Sequence, residues 1–419
     1  MKRILFTALA LLPWLFAEAG GFQVVLQGVR QTSMGNTAVG QAADASSVFF
    51  NPGAMAMLGD NVVAAGGSFI SSNIAYSGAF GSAESDNPLS TPFYFYAVYG
   101  VGADGAEGTG KKLKLGLGVF TPYGSTTEWP DQWVGQAYLR SLSLRSIYVQ
   151  PTVAYQITDK LGFGAGLDIV FGGVSIVRAI PTTNIDGENA EIEFEGDAEV
   201  AVGFNLGLYY KPIDQLSIGL NYRSEVETNV EGGDVTYTGL SSTVAASGQF
   251  PANNRFDASL PLPAVLTFGV GVYPTEGLTL AADLRYTFWS AYEELRFDFE
   301  QPIAGSNENV SARNYEDSFT LSVGAEYAAT DALMVRAGGY YDWTPIPDGY
   351  MTPETPDANT VGLTLGLGYT FAEKLVVDAG VLFVIREERE NDAAPDANTL
   401  SGTYETRAVV PSIGVAYLF

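Results

Sequence analysis

Apolar side chains recur at every second position through much of the chain beyond residue 62. Leu161, Phe163, Ala165, Leu167, Ile169 and Phe171 alternate with Gly162, Gly164, Gly166, Asp168, Val170 and Gly172. Leu278, Leu280, Ala282, Leu284, Tyr286 and Phe288 do the same against Thr279, Ala281, Asp283, Arg285 and Thr287, as do Val361, Leu363, Leu365, Leu367 and Tyr369 against Gly362, Thr364, Gly366 and Gly368. A period of two sends alternate side chains to opposite faces of a strand, here one greasy face and one small or polar face. The pattern predicts strands at 62–76, 92–101, 113–120, 142–156, 161–177, 198–210, 216–228, 262–273, 278–291, 318–328, 333–343, 360–371, 375–387 and 404–419, about fourteen in all.

A soluble sandwich alternates too, so the connections have to decide between the two. Tight turns at 158–160, 211–214, 273–277, 328–331 and 372–374 alternate with much longer polar loops. That order is the one bacterial outer-membrane barrels keep, with short periplasmic turns, and an even strand number puts both ends on the periplasmic side. The last strand alternates Val409, Pro411, Ile413, Val415, Tyr417 and Phe419. A terminal aromatic resembles the signature that barrel-insertion machinery recognises. An open edge in lipid would leave backbone groups unsatisfied, so closure on the first strand is expected. The fold class is therefore all-β, a transmembrane antiparallel β-barrel.

The chain opens with Lys2 and Arg3, an apolar run from Ile4 to Phe16, and Ala17-Glu18-Ala19. This reads as a signal peptide over 1–19, and the run is too short to span a bilayer as a helix. Among the 419 residues are 48 Gly, 23 Tyr and 24 Phe, 16% are charged, and none is Cys or His. Disulfides are excluded, as are His- or Cys-based catalytic dyads and most transition-metal sites. Neither a cofactor nor a metal is expected. The net charge of -26 opposes nucleic-acid binding. It reads as solvated acidic loops, with cation bridging to anionic lipid head groups, lipopolysaccharide included, as the alternative. Glu191, Glu193, Glu195, Asp197 and Glu199, and Glu387, Glu388 and Glu390, are read as such loop surface, not as hydrolytic carboxylate pairs.

Between the leader and the first strand lies segment 20–60, too apolar for a disordered tail. Asp44 or Ser47 would cap a helical turn, and Asn51-Pro52-Gly53 reads as a turn. A plug inside the lumen explains both its composition and its position: a hatch over 20–60, then the barrel over 61–419. Phe22, Phe49, Phe50 and Met55 would form its apolar surface, packed on the wall or in part lining a pocket.

Gly21-Phe22-Gln23, Asp44-Ala45-Ser46 and Asn51-Pro52-Gly53 resemble, in that order, the opening of the FadL family of outer-membrane transporters, with Gly53 where that family usually has Ala. Gly118-Val119-Phe120-Thr121-Pro122-Tyr123-Gly124 leading to Glu128-Trp129, and Leu260-Pro261-Leu262-Pro263-Ala264, extend the likeness over nearly the whole mature chain. The resemblance implies a fourteen-stranded barrel with an N-terminal hatch. It also implies an outer hydrophobic groove, a pocket against the hatch, and a sideways exit at a kink in the third strand. Gly116, Gly118 and Pro122 are the kink candidates, because Gly and Pro weaken a ladder. Trp129 and Trp133 would belong to the outer groove or to an aromatic belt at head-group level. A fatty carboxylate needs a cation, for which Arg223, Arg285 and Arg336 stand on polar strand faces, with Arg145 and Arg178 also in strand regions. Lumen salt bridges to Asp283 or Asp342 are the competing use.

The leading functional expectation is passive uptake of hydrophobic small molecules such as long-chain fatty acids, by a monomer contacting outer-membrane lipids. A surface receptor or adhesin with acidic extracellular loops is the alternative. A lipid-modifying enzyme would have to rely on a Ser-Lys arrangement, so no enzymatic activity is expected. A general porin would not carry an apolar plug.

Overall fold

In a computed structural model, residues 18, 19, 21–59, 61–102, 111–183, 189–396 and 398–419 are described. Residues 1–17 of the leader lie outside them, as do Gly20 and Asp60 at the limits of the hatch segment. Fourteen antiparallel strands close into a barrel. They are β1 (Val62–Ser68, continued as Ser71–Gly78), β2 (Phe93–Val101), β3 (Leu113–Phe120, continued as Gly124–Glu128), β4 (Ser141–Thr158) and β5 (Leu161–Thr183). Next come β6 (Asn189–Asp197 and Ala201–Ile213), β7 (Leu216–Arg223 and Val226–Thr238), β8 (Asn254–Leu262 and Val265–Thr275), β9 (Leu278–Thr287 and Glu294–Ile303) and β10 (Ser306–Ala312 and Ser318–Ala328). The last are β11 (Leu333–Asp342), β12 (Ala358–Phe371), β13 (Leu375–Arg386) and β14 (Gly402–Leu418). Each strand pairs with its successor, and β14 pairs back onto β1, Leu418 opposite Val62. The sheet therefore closes on itself among the described residues, as a strand array in lipid requires.

The alternation read in the sequence sorts inside from outside. On β12, Leu365 is 56% exposed and points outward, while Thr364 is 2% exposed and points in. The outer surface is thus an apolar belt that water would penalise by about 25 cal/mol per Å² and hydrocarbon would not. No helix among the described residues is long and apolar enough to cross a membrane. The crossing elements are strands.

Three stretches expected as loops, 178–197, 229–261 and 292–317, are largely strand. Here β5 to β10 rise past the belt on the side opposite the short turns. In this upper part the outward residues are charged (Glu191, Glu193, Glu195), while Ile192 and Phe194 are buried. The alternation therefore separates core from water, which is why an acidic composition passed for loop. Phe194, Phe256 and Phe297 form its aromatic centre, the first and last with ring centroids 5.0 Å apart.

Segment 21–59 fills the lumen. It includes the short helices α1 (Val29–Thr32), α2 (Ser47–Phe50) and α3 (Pro52–Met55). Asp44 Oδ1 accepts from the Ser46 amide at 2.9 Å, which opens α2. Asn51 caps α3 by accepting from the Gly53 amide at 2.9 Å, and Pro52 occupies the first turn, where a missing N–H costs nothing. Glycines on the inward strand faces let this backbone lie directly on the wall. A Cβ on Gly219 would stand 1.8 Å from the Val39 carbonyl oxygen. At the short-turn end Arg30 of α1 reaches Glu326 (2.8 Å), which Arg336 also holds (2.6 Å).

Candidate functional site

The wall is interrupted once its third strand has passed Phe120. Up to that residue β3 pairs with both β2 and β4, Phe120 facing Tyr94 on one side and Tyr148 on the other. Thr121, Pro122 and Tyr123 then leave the ladder, and β3 resumes at Gly124 against β4 alone. Pro122 has no N–H to donate. The hatch substitutes for the lost partner: the Val24 amide donates to the Pro122 carbonyl (2.8 Å) and the Gly124 amide to the Phe22 carbonyl (3.0 Å). Higher up, the Asp86 amide bonds the Glu128 carbonyl at 2.8 Å, and the Glu128 amide bonds Asn87 Oδ1 at 2.9 Å. The gap between 88–93 and 121–127 is thus framed below by paired strand and above by these two bonds.

Gly116 and Gly118, expected to kink the strand, sit in its unbroken part. Their bare backbones serve the hatch. A Cβ on Gly116 would meet Met55 Sδ at 2.6 Å, and one on Gly118 would lie 3.1 Å from Val48. Of the three kink candidates only Pro122 lies in the interruption.

A cavity of about 570 Å³ opens at this gap. Its lining includes inward residues (Ile74, Ser146) and outward ones (Phe93, Ile147), so it passes from lumen to outer surface through the wall. A second compartment of about 90 Å³, with apolar walls including Val230, Leu262 and Phe297, adjoins it across Phe22 and Tyr123. Phe22 is pinned edge-on against Trp289, centroids 5.0 Å apart, and Tyr123 donates to the Pro263 carbonyl at 2.9 Å.

The remaining hatch candidates separate. Met55 is fully buried on the wall. Phe49 and Phe50 flank a void of about 30 Å³ beside Arg223. Asn51 ties the hatch to the wall by donating to the carbonyls of Val39 (2.8 Å) and Leu208 (3.1 Å). At Gly53 an added methyl would press on Gly207 at 2.7 Å, the reason this position holds Gly.

The tryptophans correct the sequence reading. Trp129 (1% exposed) stacks on Trp133 (4%) with centroids 4.1 Å apart, and Trp129 Nε1 donates to the Pro353 carbonyl at 3.3 Å. Neither lines an exposed groove or a belt. They form the underside of a lid, loop 343–357, which sequence reasoning passed over because its polar residues look solvated. Buried Ile346 and Met351 anchor the lid. Thr127 donates to the Glu354 carbonyl at 3.1 Å. Burial works against ionisation of Glu354, yet Arg313 and Arg178 beside it hold its carboxyl below the ordinary value. Asp357 is pushed up to about 6 by burial, only partly offset by Arg386 and by bonds from Thr344 and the Gly21 amide.

The arginine candidates divide by partner. Arg223 is enclosed by Asp168 (2.5 Å), Gln150 (3.0 Å) and the Phe49 carbonyl (3.1 Å), with its guanidinium 4.7 Å from the Phe49 ring centre. Arg336 is held between Glu326 and Asp378, and Arg178 pairs with Glu354. Asp283 accepts from the Ala38 and Val39 amides (2.7 and 2.9 Å), so it serves the hatch instead of a lumen salt bridge. Arg285 lines the large cavity at 9% exposure, in the field of the Asp342 and Asp283 carboxylates.

The sequence matches, over residues 10–419, the family described as "Outer membrane protein transport protein (OMPP1/FadL/TodX)". Outer membrane protein P1 of Haemophilus influenzae is 23% identical over 419 residues, covering 88% of this chain and 86% of that one. The long-chain fatty acid transport protein of Salmonella typhi is 24% identical over 411 residues, 88% of each chain. A Pseudomonas aeruginosa FadL homologue of known structure superposes with a TM-score of 0.81 at 19% identity, covering 95% of this chain and 99% of that one. The Pseudomonas putida toluene transporter TodX gives 0.72 at 18%, covering 94% and 98%. At such identities the superpositions establish the shared fold.

Proposed function

The chain belongs to this family of outer-membrane transport proteins, and from that membership we propose that it takes up hydrophobic small molecules passively, long-chain fatty acids or comparable compounds, and releases them sideways through its wall. Cargo enters the cavity beneath the lid, lies against the hatch residues 22–26, and leaves between β2 and β3 into the outer leaflet. The observation that carries this reading is the cavity lined by residues from both faces of the wall where Pro122 breaks the ladder. A greasy solute gains nothing from a water-filled pore, whereas a lateral door lets it partition into hydrocarbon at about 0.8 kcal/mol per CH₂. The hatch supports the same reading, since it closes the straight path and leaves the wall as the exit.

Uptake of labelled oleate and of an aromatic hydrocarbon into proteoliposomes tests this directly. Intact protein raises uptake of at least one of them above empty vesicles, and Ser125→Trp, which fills the cavity at the gap, abolishes the gain. Deleting residues 20–58 admits sugar-sized solutes that the intact protein excludes. Uptake no better than empty vesicles sinks the transport reading, and full uptake by the Trp variant sinks the lateral route.

A further inference from the structure

The gap in the wall has two banks, and each is an open strand edge. On one bank, segment 88–92 runs beside β1. The Ile70 amide donates to the Ser90 carbonyl (2.8 Å), the Ser90 amide to the Ile70 carbonyl (3.2 Å) and the Ser68 amide to the Pro92 carbonyl (3.0 Å). Main-chain groups of successive strand residues point to opposite sides, so those of Leu89 and Thr91 point away from β1 and into the gap. On the other bank Gly124 and Glu128 turn their amides off β4, toward Phe22 of the hatch and toward Asn87. Thr126, midway between them, has the same parity. The N–H and C=O groups of Leu89, Thr91 and Thr126 that face the gap have no partner among the described residues.

The two edges cannot zip onto each other. Continuing the register of β2 and β3 past Tyr94 and Phe120 would set Pro92 opposite Pro122, and neither has an N–H to give. The register of β3 against β4 also slips by one residue, between Phe120 opposite Tyr148 and Gly124 opposite Arg145. That slip turns even-numbered residues of β3 toward the gap, whereas the register with β2 would need odd-numbered ones. The outward Phe93 and Ile147 place the gap at the rim of the apolar belt, where bare main-chain groups are costly. A molecule leaving through the gap meets them if it carries both a donor and an acceptor. A secondary amide does: its N–H and C=O point to opposite sides, as those of an added strand do, so it donates to one bank while accepting from the other. A hydrocarbon offers neither group, and an ester offers acceptors only.

We propose that the gap selects neutral long-chain N-acyl amides, held in passage between the backbone edges at Leu89 and Thr91 and at Thr126. The inference rests on the lateral exit proposed above and names the class of cargo that exit recognises. Because main-chain groups do the recognising, changing the side chains there leaves selectivity intact, and only a residue that deletes an N–H removes it.

The test uses the full chain in nanodiscs, against empty nanodiscs, with three probes of one tail: N-methyloleamide, N,N-dimethyloleamide, which lacks the N–H, and methyl oleate. N-methyloleamide binds about 10-fold tighter than the ester, as two neutral hydrogen bonds provide, and the dimethyl amide falls well short of it. N-methyloleamide also slows hydrogen exchange in peptides covering 87–93 and 124–128, and methyl oleate does not. Replacing Thr91 and Thr126 together by Pro brings amide and ester to parity, whereas Ala at both positions, which keeps both N–H groups, preserves the ratio. N-methyloleamide no tighter than the dimethyl amide, exchange slowed equally by amide and ester, or a ratio unmoved by the two prolines overturns the proposal and leaves the lateral route standing. If none of the three probes binds above empty nanodiscs, the transport reading falls and this proposal with it.

Discussion

Replacing Asp168 by Asn tests how the hatch is bolted to the wall. Asp168 on β5 and Arg223 on β7 are 0% and 6% exposed at their side chains and 2.5 Å apart. The same guanidinium donates to the Phe49 carbonyl of the hatch and lies over the Phe49 ring. An Asn keeps the shape and removes the charge, so Arg223 is left as a buried cation facing only neutral dipoles. Breaking a buried pair from one side costs roughly 3–5 kcal/mol, about two to three and a half orders of magnitude in an equilibrium. Arg223 lowers that cost by turning toward water in the lumen, which abandons the Phe49 carbonyl and loosens α2. Amide hydrogen exchange, followed by mass spectrometry on the full chain in micelles, reads this directly. Peptides covering 45–56 exchange about a hundredfold faster or more, while peptides covering 29–36, held by the separate Arg30–Glu326 pair, do not. Changing both partners to apolar residues, Asp168→Leu with Arg223→Met, restores most of the protection, because no charge is left buried. Unchanged exchange at 45–56, or an equal rise across barrel and hatch, would refute the reasoning.

Gly219→Ala places a methyl 1.8 Å from the Val39 carbonyl oxygen and displaces the hatch, whereas Gly172→Ala meets nothing nearer than 3.3 Å; in planar bilayers the first variant shows an ion leak and the second stays closed. Asp357 titrates near 6 in the folded lid against an ordinary value near 3.8, so the folded state binds the extra proton and lid stability declines as pH rises from about 4 to 6, then levels. Exchange at the amides of 343–357 therefore accelerates over that window beyond its intrinsic pH dependence, and Asp357→Asn flattens the excess. Trp129→Ala removes a fully buried ring stacked on Trp133, loosening the lid by roughly 3–5 kcal/mol; fluorescence of the remaining tryptophans then becomes accessible to a soluble quencher, and a quenching curve like the parent's would contradict the lid assignment.

Much of the architecture was legible in the sequence alone. The alternation at 161–171 and 361–369 and the sequence of short turns point to the strands of a barrel, because a strand's period of two is a local property of the chain. Position and composition led to the expectation of a plug over 20–60. What faces each inward residue was decided only by tertiary structure. Gly116 and Gly118 read as weak points of a strand, yet they are contact surfaces for Met55 and Val48. Trp129 and Trp133 read as part of an outer groove or a head-group belt, yet loop 343–357 folds over them. Arg223, Arg285 and Arg336 all fell on polar faces by parity; parity does not say that Asp168 reaches the first, that Glu326 and Asp378 reach the third, and that Arg285 is left facing the cavity. Periodicity records which side of the wall a residue occupies, and partners brought together from distant strands decide what it does there.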